Sequence, residues 1–234
     1  MSLAAQPLEL DLGPAVKSAG FVVRDYDAVI GELSGLVVEG LSPRAVPKRR
    51  AEFLAGRFAA GQALALLGVT GIPGRNDDGS PRWPAPVVGS ITHGAARAVC
   101  AVAHATELRG LGIDAERLMD ESAKDELRAR ICGPEERALL AGSLAAPEHH
   151  WVTFAFSAKE SLYKCLYPLV GHFMDFSAAR VVAAVAEARG AGLAGELTLE
   201  LSVDWSPEFR RGTRLGARFI ASADHVESAV LLPV

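Results

Sequence analysis

The chain has 234 residues, half of them apolar and 22% charged, which excludes an intrinsically disordered segment and leaves enough hydrophobic surface for one large domain or two small ones. Its 24 Lys and Arg against 28 Asp and Glu give a formal net charge of −4, which excludes the global positive field of a nonspecific nucleic-acid binder and confines phosphate recognition to a local basic patch. Three widely spaced cysteines, Cys100, Cys132 and Cys165, form no C-x-x-C or Cys/His cluster, so neither zinc nor a disulfide framework is expected and a reducing cytoplasm fits best.

The N-terminus, from Met1 to Asp11, lacks a basic region followed by an apolar one, and no stretch approaches the roughly 18 apolar residues of a membrane span. The expectation is a soluble, unprocessed chain with no membrane partner. Residues 43–68 predict a helix: Pro47 suits its first turn, Leu54, Phe58, Leu64 and Leu66 supply an apolar stripe, and Gly68 stops it. Between Arg44 and Ala60 stand five cations (Arg44, Lys48, Arg49, Arg50, Arg57) and one anion (Glu52). Arg50 and Arg57, seven residues apart, share a helix face, with Arg49 about 80° round. The patch suits either a solvated charged face or an anion grip.

Residues 71–86 are packed with Gly, Pro, Asn and Asp, which predicts an irregular ordered loop carrying Arg75 and Arg82. Three runs, 87–92, 96–103 and 108–114, predict neighbouring strands whose ends carry His93, Asp114 and Glu116. A helix over 122–140 is interrupted at Gly133-Pro134, and a longer one over 150–167 is ended by Pro168. Strands are then predicted over 176–185, 196–203, 216–223 and 226–232. The fold class is α+β. The order helix, then strands, occurs twice, in 1–105 and 106–234, which suggests two similar lobes.

Two motifs carry chemistry. Gly112-Ile113-Asp114-Ala115-Glu116 places two carboxylates at i,i+2 on one side of a strand end, where a hard cation such as Mg²⁺ could be shared, or where both are merely solvated. Phe156-Ser157-Ala158-Lys159-Glu160-Ser161-Leu162-Tyr163-Lys164 compresses two lysines, a glutamate and a tyrosine into one helix, which suits a surface i,i+4 ion pair or, as the flanking Phe154 and Leu166 suggest, a half-buried helix where lone charges are costly.

Together with Lys48-Arg49-Arg50-Ala51-Glu52-Phe53, Gly56-Arg57, Gly79-Ser80-Pro81-Arg82-Trp83-Pro84 and Gly89-Ser90-Ile91-Thr92-His93, these blocks resemble the Sfp-type 4′-phosphopantetheinyl transferases, the bacterial subgroup serving siderophore, polyketide and lipid synthases. The blocks run in family order over residues 48–164. The resemblance implies a pseudo-dimer of two similar α/β lobes with the active site in the cleft between them. It implies an N-terminal lobe (1–105) that grips the 3′-phosphate and adenine of coenzyme A, and a C-terminal lobe (106–234) with the metal carboxylates, the catalytic helix and the carrier contact. The implied reaction transfers the 4′-phosphopantetheine arm of coenzyme A to a serine hydroxyl of an apo acyl or peptidyl carrier protein, releasing adenosine 3′,5′-bisphosphate.

By the same resemblance, Asp114, Glu116 and Glu160, with the Ala115 carbonyl, would hold Mg²⁺ or Mn²⁺. Glu160 would be the general base, with Lys164 and Asp114 as the other catalytic residues. Coenzyme A would meet Arg49, Arg57, Arg75, Thr92, His93, Asp114, Lys159, Glu160, Tyr163 and Lys164. Arg49 comes from the resemblance, whereas helical phase alone favours Arg50. The stretch 169–176 is where the family contacts its carrier, or else a buried approach to a strand. A cytoplasmic monomer without nucleic-acid partners is expected.

Overall fold

The computed structural model describes residues 3–42, 44–122 and 125–234. Pro43, Ala123 and Lys124, which fall within the two helices expected over 43–68 and 122–140, lie outside the described residues, as do the first two residues of the N-terminus. The chain divides into two compact units, Met1–Leu111 with Leu232–Val234, and Gly112–Leu231.

The first unit contains β1 (Lys17–Val22), α1 (Tyr26–Glu32), α2 (Pro47–Leu66), β2 (Gly74–Arg75), β3 (Pro81–Arg82), β4 (Val87–Gly94) and β5 (Arg97–His104). Its main sheet is antiparallel in the order β1-β5-β4. The central β5 is buried almost throughout, which is why its sequence reads as a continuous run of small apolar residues and not as an alternation. Alanines at 51, 55, 59 and 63 recur every fourth residue along α2 and leave a smooth, fully buried stripe that lies close to the sheet. Ala59, Ala60, Ala63 and Leu64 pack on Cys100 and Val102, while Ala51, Leu54 and Ala55 pack on Ala98 and on Val29 and Leu33. Pro47 opens α2 as expected, and Gly68, at φ +75°, follows its end.

The second unit receives the chain through β6 (Leu108–Arg117) and adds α3 (Asp125–Ile131), α4 (Pro134–Ser143), α5 (Glu148–Val170), a 3₁₀ turn (Phe176–Ala178), β7 (Ala179–Arg189), β8 (Gly192–Leu201), β9 (Arg214–Ala221) and β10 (His225–Pro233). The sheet order is β6-β10-β9-β8-β7. α5 buries Trp151, Phe154, Ala158, Leu162, Cys165 and Leu166, and Phe154 stacks on Phe219 of β9 with ring centroids 5.2 Å apart. The architecture is mixed α and β, as the sequence indicates.

Two expectations change, and two elements are new. Pro168 does not end α5: it forfeits one amide donor in the last turn, yet the helix runs on to Val170, and Gly171 caps it in the left-handed region at φ +73°. The loop over 71–86 contains a small hairpin, β2 with β3, pairing Gly74 with Arg82. β1 and α1 were not foreseen, although Asp25 is an orthodox cap for α1, accepting from the Ala28 amide at 3.0 Å.

Candidate functional site

In the second unit, β6 ends on the two carboxylates. Asp114 is 2% exposed, Ala115 is fully buried, and Glu116 is partly exposed. α5 reaches them because nothing stands between it and the strand: a Cβ on Gly112 would lie 1.9 Å from the Ser161 carbonyl oxygen and 2.6 Å from the Cys165 nitrogen. Only glycine permits that approach. Three buried hydroxyls join the same helix to β10: Ser157 Oγ and Ser161 Oγ each lie 2.8 Å from Ser228 Oγ, and Ser161 Oγ also donates to the Ser228 carbonyl at 3.1 Å.

The stripe of α5 left partly exposed is Phe156, Glu160, Tyr163, Lys164 and Tyr167, the spacing of one helix face. Lys164 Nζ donates to Asp114 Oδ1 at 2.6 Å. Burial pushes the Glu160 carboxyl above the ordinary glutamate range; Lys164 pulls it back and the Asp114 charge adds to the rise. The structure therefore brings Asp114, Glu160 and Lys164 together. Among the described residues, Asp114, Glu116 and Glu160 do not gather three ligand atoms within 4.8 Å of one another. The donor set nevertheless suits a hard cation, since it is all oxygen and two of its carboxylates lie close enough for one to raise the pKa of the other.

Glu160, Tyr163 and Lys159 also line a cavity of about 480 Å³ whose other walls include Leu162, Met174, Phe176 and Trp205. Phe173 packs edge-on against Tyr163, centroids 5.7 Å apart, and is 74% exposed. The 169–176 stretch is therefore no buried strand approach. Lys159, expected to contact coenzyme A, differs from Lys164. Its side chain is 3% exposed and its ammonium lies 2.7 Å from Glu136 Oε1, while donating to the carbonyls of Ile131 at 2.7 Å and Phe176 at 3.2 Å. Glu136 was not singled out by the sequence. The Gly133-Pro134-Glu135-Glu136 opening of α4 carried the signal, a glutamate at the third helical position reaching back to the Gly133 amide.

In the first unit, α2 presents Arg49, Glu52, Phe53 and Arg57 to a cavity of about 170 Å³ that His93 of β4 also lines. Arg49 Nη1 donates to His93 Nε2 at 2.7 Å, so that nitrogen is an acceptor, and Nδ1 stands 3.8 Å from Glu52 Oε2. Arg57 is 4% exposed; its Nη1 donates to the carbonyls of Pro73 at 2.9 Å and Gly74 at 2.8 Å, and its guanidinium stands 5.1 Å from the Phe53 ring centroid. Burial first, then the Arg75 charge, lowers its pKa from the usual arginine value. Arg50 is exposed and lies outside the walls of this cavity. Arg75 points elsewhere, donating to the Gly40 carbonyl. Ser90 and Thr92 are buried in β4, on the alternate positions to His93.

Known proteins resemble the chain over both units. Residues 38–103 match the 4′-phosphopantetheinyl transferase N-terminal domain, and residues 110–208 match the 4′-phosphopantetheinyl transferase superfamily. The 4′-phosphopantetheinyl transferase PptT of Mycobacterium tuberculosis is 34% identical over 167 residues, 71% of each chain. The 4′-phosphopantetheinyl transferase Svp of Streptomyces mobaraensis is 44% identical over 142 residues, 59% of this chain and 56% of Svp. Enterobactin synthase component D of Salmonella typhimurium is 43% identical over 117 residues, 50% of this chain and 48% of its own. With these last two, the match spans about half the relative's length. The chain belongs to the 4′-phosphopantetheinyl transferase superfamily.

Proposed function

We propose that the protein transfers the 4′-phosphopantetheine arm of coenzyme A to a serine hydroxyl of an apo acyl or peptidyl carrier protein. The observation that carries this reading is the group of Asp114, Glu160 and Lys164 beside a cavity of about 480 Å³. The carrier serine oxygen forms a bond to the phosphorus bearing the pantetheine arm, and the bond from that phosphorus to the bridging oxygen breaks. Adenosine 3′,5′-bisphosphate leaves with that oxygen, and the serine proton passes to Glu160.

Glu160 lines the cavity, where its carboxylate is available to take the serine proton. Lys164 supplies positive charge to the phosphate oxygens as negative charge builds on the leaving group. Asp114, Glu116 and Glu160, with the Ala115 carbonyl, would hold Mg²⁺ or Mn²⁺, which when bound neutralises pyrophosphate charge. Arg49, Arg57 and His93, which line the first unit's cavity, grip the 3′-phosphate and adenine end of coenzyme A. Tyr163 lines the arm's path. Leu169 and Phe173, 40% and 74% exposed, offer the carrier an apolar contact.

The reading places the protein in the cytoplasm as a monomer. There its buried thiols stay reduced and inert: burial pushes Cys132 and Cys165 up to about 12 and Cys100 higher still. No helix among the described residues is long and apolar enough to cross a membrane. The test is incubation with coenzyme A, Mg²⁺ and a panel of apo acyl and peptidyl carriers, read by intact mass. One carrier gains the mass of a single phosphopantetheine arm. A panel left entirely unchanged overturns the reading.

A further inference from the structure

Glu136 takes no part in the chemistry above, yet both of its carboxylate oxygens are bonded beside α5. We infer that Glu136 and Lys159 form a positioning pair, with Lys159 holding the catalytic helix and the cavity wall through Glu136 and making no contact with coenzyme A. The inference rests on the phosphopantetheinyl-transfer reading.

An ammonium has three protons to give, and Lys159 faces three protein acceptors: Glu136 Oε1, the Ile131 carbonyl and the Phe176 carbonyl. Those acceptors come from α4, the end of α3 and the 3₁₀ turn before β7. Glu136 is equally committed. Its Oε1 also accepts from the Val181 amide at 2.8 Å, and its Oε2 accepts from the Gly133 amide at 2.9 Å. The pair thus joins α3, α4, α5 and the start of β7. The two side chains are only 3% and 10% exposed, against 26% for Lys164. A phosphate reaching Lys159 would have to leave the Glu136 carboxylate buried without its cation, a costly exchange in a dry site.

What the pair controls lies next door. Lys159 is adjacent in sequence to Glu160, so fixing its ammonium fixes the rotation of α5 about its axis at the position of the base. Phe176, whose carbonyl Lys159 holds, is itself a wall of the cavity. Loosening either partner shifts the base and the wall together while leaving the first unit's Arg49 and Arg57 untouched. That predicts a loss of turnover without a loss of coenzyme A affinity.

The test uses the intact chain with Glu136→Gln, Lys159→Met and the double variant Glu136→Gln with Lys159→Met, whose amide oxygen still accepts a backbone bond, assayed with coenzyme A, Mg²⁺ and a carrier that the native protein modifies. Each single variant leaves one buried polar group without its partner and lowers kcat about tenfold, with KM for coenzyme A within about twofold of native. The double variant removes both charges and recovers kcat to within about threefold of native. If Lys159 instead contacted coenzyme A, Lys159→Met and the double variant would both raise KM for coenzyme A about tenfold or more without recovery, and the inference would fall. Should the single variants fail to fold, the double variant decides alone. Should the native protein modify no carrier, the transfer reading fails separately. Calorimetric binding of coenzyme A then still decides the inference: equal affinity in native and double variant upholds it, and lost affinity in the double variant overturns it.

Discussion

Arg57 in the first unit and Lys164 in the second are both helical cations lining a candidate phosphate site, and they are held by opposite kinds of acceptor. Arg57 leans on two neutral backbone carbonyls and an aromatic ring, so its full charge remains on offer to an anion. Lys164 leans on the buried carboxylate of Asp114, which cancels it. The charge of Arg57 is left unbalanced by its hydrogen-bond partners, whereas that of Lys164 is balanced by Asp114.

Four experiments bear on this contrast. The largest effect is expected from Glu160→Gln, which lowers carrier modification by a factor on the order of 10²–10⁴ while calorimetry still shows coenzyme A binding through the first unit. Near-native turnover would remove Glu160 from the base role. The same variant carries a stability signature. The folded-state pKa of Glu160 lies above its unfolded value, so its contribution to stability is present below the ordinary glutamate pKa and is lost as the pH rises through the raised value. Glu160→Gln therefore raises the denaturation midpoint at neutral pH in divalent-free buffer, and the gain disappears near pH about 4. A gain that persisted at low pH would point to packing and not to charge.

Next in size is Gly112→Ala, whose new methyl meets the backbone of α5. Chemical denaturation should show a loss of about 1–3 kcal/mol together with a large fall in turnover. Unchanged stability would mean that the helix stands off from β6. Arg57→Ala should weaken coenzyme A about tenfold more than dephospho-coenzyme A, which lacks the 3′-phosphate; equal weakening of both would move the phosphate site elsewhere. Arg50→Ala is expected to do least. It lies outside the cavity, and its dissociation constant for coenzyme A should stay within about twofold of native.

The legible parts of the fold were those with strong periodicity or hard punctuation. The stripe on α2 with Pro47 and Gly68, the runs of β4 to β6 and the break at Gly133-Pro134 each placed an element correctly. β1 escaped because its burial does not alternate, and α1 because seven residues barely show a period. At the site, the sequence motifs placed Asp114 on a strand and Glu160 and Lys164 on one helix, which the fold brings together. It could not say that Lys159 turns inward, since i,i+4 spacing describes neighbours on one helix and not the glutamate that another helix supplies. Nor could an idealised helix choose between Arg49 and Arg50. Phase favours Arg50 by a fraction of a turn, but Phe53 and His93 border a cavity that Arg49 reaches and Arg50 does not.

The three serine hydroxyls beneath α5 have a mechanical consequence. A helix resting on hydrocarbon can slide along its axis, because the dispersion attraction given up at one end is regained at the other. Hydroxyl hydrogen bonds are directional, and Ser157, Ser161 and Ser228 match only in one register. α5 is therefore keyed to β10 and cannot serve as a piston. Any adjustment on docking of the proposed carrier is then left to the segment just past the helix cap, where Phe173 is 74% exposed.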